Sequence, residues 1–226
     1  GKVEAIPGHN KTLATLGVMA LWFGWFGFNG GSQLAWGGDD TVTATTIVLL
    51  PNLSAAAGAI GALFTTWIWY GKPDIVQTLN GALAGLVSIT AGAANMDPFG
   101  AFFAGLIGGV LVVFSIEFIE KKLQVDDAIG ASSVHGVVGV WGTLVIGLWG
   151  VDSGTGIGIF NGGGFDQLIS QFIGAMAYSI WAIIFAFIFF FVLKKFMGLR
   201  VTKEEEIAGL DIAEHGIRAY PGKRNR

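Results

Sequence analysis

His135 is an ionisable side chain in a segment, 128–150, that is otherwise apolar, glycine or small, with Val134, Val137, Val138, Trp141, Leu144 and Ile146 around it. A stretch of that length can cross a bilayer. An ionisable residue at membrane depth is costly and by default marks a path for an ion or proton. A neutral imidazole offers one donor and one acceptor nitrogen, so it can relay a proton or bind a small polar solute. The alternative is a histidine that merely bonds a neighbouring helix. A second constellation, Trp25, Phe28 and Ser32, has the spacing i, i+3, i+7 and so shares one helix face. Rings in such a row hold a cation by cation–π attraction, or they belong to an interfacial aromatic belt. Asp126 and Asp127 just precede the His135 segment, where acidic side chains favour a helix N-terminus. No His/Asp/Glu group has metal-ligand spacing, and no Ser-His-Asp set can be assembled. The glycines of 154–158 follow no strand and lack the dinucleotide spacing. These residues therefore point to conduction or binding rather than to an enzyme, with no metal, no cofactor and no nucleic-acid partner.

The elements that must position these residues are membrane helices. Of 226 residues, 53% are hydrophobic and only 13% charged, against about a quarter charged in soluble domains. Six apolar segments are expected as spans, at about 12–31, 43–70, 75–94, 99–119, 128–150 and 167–196. Pro51 predicts a kink or an irregular start in the second. The third and fifth are rich in Gly, Ala and Ser, which suits protein-facing helices. The sixth, with Phe185, Phe187, Phe189, Phe190 and Phe191, suits a lipid-exposed one. Glycine numbers 36, and the pairs Gly27/Gly31, Gly81/Gly85 and Gly105/Gly109 have the small-xxx-small spacing that lets helices approach in lipid. There is no Cys, so disulfides and thiolate metal sites are excluded.

Charge sorts by face. Lys2, Lys11, Lys72, Lys121 and Lys122 lie before span one, between two and three, and between four and five. Lys194, Lys195, Arg200, Lys203, Arg218, Lys223, Arg224 and Arg226 end or follow span six. The opposite loops (32–42, 92–98, 151–166) carry Asp39, Asp40, Asp97, Asp152 and Asp166 and no basic residue. The positive-inside rule then puts both ends of this chain in the cytoplasm. Glu117 is expected to snorkel or to pair with Lys121, its i+4 neighbour. Residues 162–164 and Asp166 suit a loop and an N-cap for the last span. The region 198–226 is a polar cytoplasmic tail whose Ile207, Leu210, Ile212 and Ile217 suit either docking or a disordered charged segment.

Taken together, these pieces resemble the Amt/Rh ammonium transporter family, in its C-terminal half. The resemblance rests on Gly24-Trp25-Phe26-Gly27-Phe28-Asn29 with Ser32, Gly71-Lys72-Pro73, the run 80–87, Val125-Asp126-Asp127 and Val134-His135-Gly136. It extends through Gly198-Leu199-Arg200, Gly209-Leu210-Asp211, His215-Gly216 and Ala219-Tyr220, all in family order. It implies an all-α polytopic bundle in which 1–197 forms six spans of an eleven-span inverted-repeat fold. It implies that Phe28 is a gate ring, that Ser32 helps bind ammonium beside Trp25, and that His135 is the second of two pore histidines. Asp126 and Asp127 become the structural acidic pair, and Arg200, Gly209, Asp211 and His215 the tail's structural or regulatory residues. The implied partners are ammonium or ammonia, the lipid bilayer, a complementary N-terminal half with the first pore histidine, homotrimer mates, and a PII signalling protein at the cytoplasmic face. Because that first half lies outside the chain, a fragment or a split protein is expected, in the cell membrane. Ala213 stands where plant members carry a phosphorylated Thr. An ammonium sensor, signalling through the tail, is the alternative.

Overall fold

The computed structural model describes residues 8–38, 40–151 and 156–220. Lys2, Asp39, Asp152, Gly154, Thr155, Lys223, Arg224 and Arg226 lie outside the described residues. Two compact units are present, 1–179 and 180–226.

The first unit is built on α1 (Lys11–Gly31), α2 (Asp40–Tyr70), α3 (Ile75–Thr90) and α4 (Pro98–Lys121). A π-helical segment (Ser132–Val137) follows and leads into α5 (Val138–Trp149). A 3₁₀ turn (Ile159–Asn161) precedes α6 (Asp166–Phe196), which continues into the second unit. Side chains start several of these helices. Asn10 accepts from the Leu13 N–H at 2.9 Å, Asp74 from Gln77 at 2.9 Å and Asp97 from Gly100 at 2.7 Å, with Pro98 in the first turn of α4. Each satisfies a donor that the first helical turn leaves unpaired.

Among the described residues, five helices are long and apolar enough to cross a membrane, the π segment and α5 counting as one. The expected third span, 75–94, is shorter than its apolar run: α3 has 16 residues, about 24 Å at the helical rise. The Gly92 and Asn95 amides bond back to Ile89 and Gly92, so the chain leaves the helix in two tight turns. Pro51 lies inside α2, which runs on past it and begins three residues before the expected start. Pro51 is buried, and its missing N–H costs one intrahelical bond without ending the helix.

The core lies where α2, α3 and α4 pack against one another, with α3 also meeting α1 and α5. A Cβ on Gly58 would strike the backbone of Gly81 and Gly85; one on Gly109 would strike Gly58; one on Gly85 or Gly105 would strike the Ser54 carbonyl. These crossings are backbone on backbone. The Ser54 hydroxyl seals one of them by donating to the Gly85 carbonyl at 2.7 Å. The pairs Gly81/Gly85 and Gly105/Gly109 therefore serve the close approach their spacing suggests. At Gly27 and Gly31 no described residue comes close: a Cβ on either would meet nothing within 4 Å. Around the crossings sit two apolar clusters, one with Ile47, Leu50, Ile89, Val145 and Trp149, the other with Val112, Val113, Val134 and Val138. In α6 the residues Phe185, Phe187, Phe189, Phe190 and Phe191 are all exposed. Gly58→Ala is expected to lower stability by about 1–3 kcal/mol, the range for overpacking, read as a fall in the thermal midpoint of the detergent-solubilised protein.

Candidate functional site

The expected 23-residue helix through His135 does not begin at Ala128. Residues 128–130 form a turn, and His135 lies only about one turn into the helical segment, within its π-helical part. The cause is local. Gly130 has φ +74°, and a Cβ there would meet the Asn80 amide at 2.8 Å, so this turn requires glycine on both counts. Asp127 is buried and caps the segment. Its Oδ1 accepts from the Ser132 N–H at 2.8 Å; its Oδ2 accepts from the Ser133 N–H at 3.1 Å and the Ser133 hydroxyl at 2.9 Å. Three donors on one carboxylate hold the start of the segment, whereas Asp126 is exposed. A π-helical turn widens the coil by one residue, and such turns recur at functional sites.

His135 itself is exposed, with Gly136 and Val137 beside it. A Cβ added at Gly136 or Gly139 would meet nothing within 4 Å. The imidazole thus stands on an open, side-chain-poor surface that another helix or a small solute can approach closely.

The aromatic constellation forms at the C-terminal end of α1. Trp25 and Phe28 meet edge to face with centroids 5.8 Å apart. The Trp25 indole donates to the Thr90 hydroxyl at 2.8 Å, tying α1 to the last residue of α3. Phe28 is 61% exposed. The Ser32 hydroxyl donates to the Phe28 carbonyl at 2.7 Å and is exposed, so its lone pairs remain available to a donor. Gly17, Ala20, Leu21 and Gly24 continue the same face into a groove of about 540 Å³. The structure therefore brings Trp25, Phe28 and Ser32 together and places His135 separately, with α3 packed against both α1 and α5. Sequence spacing missed Thr90 and the π turn: the first is a contact 65 residues away, and the second has no composition signal.

At the other end of the bundle, the Tyr70 hydroxyl donates to Glu117 at 2.7 Å and accepts from the Gln77 amide at 3.1 Å. Glu117 also pairs with Lys121, as the i+4 spacing predicts.

In the second unit the tail folds into α7 (Lys203–Ala208) and α8 (Leu210–Ala213). Thr202 and Glu205 form a reciprocal capping box, and the bonds from Thr202 hold the Glu205 carboxyl below its usual range. Arg200 donates to Glu206 at 3.2 Å. Gly209, at φ +94°, turns the chain between the helices. The Asp211 Oδ2 accepts from the Ala219 N–H at 2.9 Å and its Oδ1 from Ile212 at 3.0 Å, which closes the tail on itself. His215 sits inside that loop in sequence and is exposed. The Ala219 bond first, then the Ile212 bond, holds the Asp211 carboxyl below its ordinary value.

The model of the Ammonium Transporter Family matches residues 1–220. Ammonium transporter Amt2 of Archaeoglobus fulgidus is 43% identical over 98% of this chain and 48% of its own length. The ammonium transporter of Bacillus subtilis is 36% identical over 94% of the chain and 52% of its own. Among solved structures, a Sensor Amt Protein superposes with a TM-score of 0.83 at 40% identity, covering 91% of this chain and 49% of that one. Candida albicans Mep2 gives 0.80 at 29% identity, covering 91% and 46%. The chain spans about half the length of the curated relatives it matches.

Two outcomes follow from the geometry. Asp127→Ala leaves buried donors unpaired and is expected to cost roughly 2 kcal/mol or more, while Asp126→Ala changes stability little; thermal unfolding of the two variants in detergent separates them. Because the Asp211 carboxyl is depressed in the fold, the unfolded tail binds more protons at acid pH, so tail order is present above the ordinary carboxylate range and lost as pH falls through the depressed value. Hydrogen exchange of peptides covering 209–220, compared with unstructured peptide at the same pH, should show protection at neutral pH that is lost only in strong acid, and Asp211→Ala should remove that protection at every pH.

Proposed function

Since the chain belongs to the ammonium transporter family, we propose that it supplies the second half of a pore that moves ammonium or ammonia across the cell membrane. The observation that carries this is His135, exposed on a π turn beside two glycines with open space over them. In the assembled protein that surface faces a complementary first half. An inverted-repeat transporter places its site at the interface of its repeats. The face of α1 with Gly17, Ala20 and Gly24 is a second surface for that half.

Trp25, Phe28 and Ser32 form the outer entrance. The rings attract the cation by their quadrupoles, and the Ser32 oxygen accepts one of its N–H groups. An apolar passage penalises a bare cation heavily, so ammonium gives up its proton there. Ammonia crosses, and His135, with a partner histidine in the first half, accepts and returns the proton at its ring nitrogens. Asp127 positions the segment that bears His135. By the charge pattern, both ends of this chain are cytoplasmic, and complete protomers form trimers. The tail, with Arg200, Gly209, Asp211 and His215, is the regulatory face, open to a PII signalling protein.

A second reading has its own support: the 40%-identical structure described as a Sensor Amt Protein. There, binding at the same entrance would move the tail instead of driving flux. His135→Ala in the complete protein, reconstituted in liposomes on a solid-supported membrane, is expected to abolish ammonium currents. Unchanged currents and selectivity would sink the assigned role. Tight ammonium binding without any wild-type current would favour the sensor.

A further inference from the structure

Thr90 ends α3. Its hydroxyl donates to the Leu86 carbonyl, one turn back, at 2.6 Å. Leu86 is fully buried, so the hydroxyl is anchored to the core. That bond commits the one proton a hydroxyl carries and leaves its oxygen as an acceptor. The oxygen takes the Trp25 indole N–H at 2.8 Å, from a residue 65 positions away. The restraint therefore runs one way: the backbone of α3 holds Thr90, and Thr90 holds the indole. Both side chains are half-buried.

An aromatic ring is negative on its faces and positive at its edge. Its attraction for a cation depends on which of the two it presents. Trp25 meets Phe28 edge to face, with an interplanar angle of 60°. A phenylalanine has no polar atom to fix its ring, and a tryptophan has one, the indole N–H. The bond to Thr90 is thus the polar restraint on the orientation of this ring pair.

We propose that Thr90 is a positioning residue for the cation site. It fixes the face that Trp25 presents and, through the ring contact, the attitude of Phe28, without touching the cation itself. This rests on the reading of Trp25, Phe28 and Ser32 as an ammonium entrance. A mere clip between α1 and α3 would act on stability and on the number of working molecules, leaving affinity alone.

Ammonium currents of the complete protein in liposomes, measured over a range of concentrations, give a half-saturation and a maximum. Calorimetric titration with ammonium chloride, against sodium chloride as the blank, gives a Kd without flux. Thr90→Val keeps the side-chain shape but offers no acceptor, so the indole N–H loses its partner. Weaker orientation of the rings is expected to raise the half-saturation and the Kd about fivefold, with the maximal current kept, the sign of lost binding rather than lost turnover. Thr90→Ala, which also lacks the acceptor, should do the same, and Thr90→Ser should restore both values. In a Trp25→Phe background, which has no indole N–H, Thr90→Val should add nothing, as coupling between the two requires. Unchanged half-saturation and Kd in Thr90→Val, no rescue by Thr90→Ser, or an additive effect on Trp25→Phe would each overturn the proposal. A wild type that binds ammonium without current would sink the transport reading alone, with the Kd shift still deciding the role of Thr90. A wild type that binds no ammonium would sink the entrance and this proposal with it.

Discussion

The close approach of α2, α3 and α4 is the constraint on which the other features rest. Where Gly58, Gly81, Gly85, Gly105 and Gly109 meet, backbone lies on backbone and leaves no room for a methyl group. In lipid the hydrophobic effect does not drive helices together, so dispersion contacts between small residues and interhelical hydrogen bonds must do so. The Ser54 bond to the Gly85 carbonyl is one such bond at the tightest point. The short helix α3 is held there as a buried strut, and each part of it then positions something else. Its last residue, Thr90, receives the Trp25 indole. Asn80, in its middle, packs on the turn at Gly130 that starts the His135 segment. Near its start, Gln77 reaches Tyr70 and, through it, Glu117.

The two candidate sites solve opposite electrostatic problems. At the C-terminal end of α1, aromatic faces and a hydroxyl oxygen present partial negative charge without an ionised group. Just before the His135 segment the carboxyl group of Asp127 is buried, and its oxygens take three donors from Ser132 and Ser133. That arrangement makes Asp127 a positioning residue. It sets the start of the π turn that bears His135 and runs on into α5.

Sequence alone determined the class of the molecule, the apolar segments, the alternation of charge and the residues able to do chemistry. These are local properties: hydropathy over twenty residues, the i, i+3, i+7 row of Trp25, Phe28 and Ser32, and the i+4 pair of Glu117 and Lys121 need no knowledge of neighbours. It also marked the glycine pairs, yet could not tell Gly81/Gly85, which lie in a crossing, from Gly27/Gly31, which no described residue approaches. Spacing is a property of one helix, whereas close approach is a property of two. The tertiary structure decided the rest. It shortened α3, because its end turns back through Gly92 toward Met96. It moved the start of the His135 helix, because Asn80 and Asp127 dictate the turn before it. It also ordered the tail, through the Asp211 bond to an amide eight residues on. Each of these depends on contacts between residues far apart in the chain or outside a helical repeat, where periodicity carries no information.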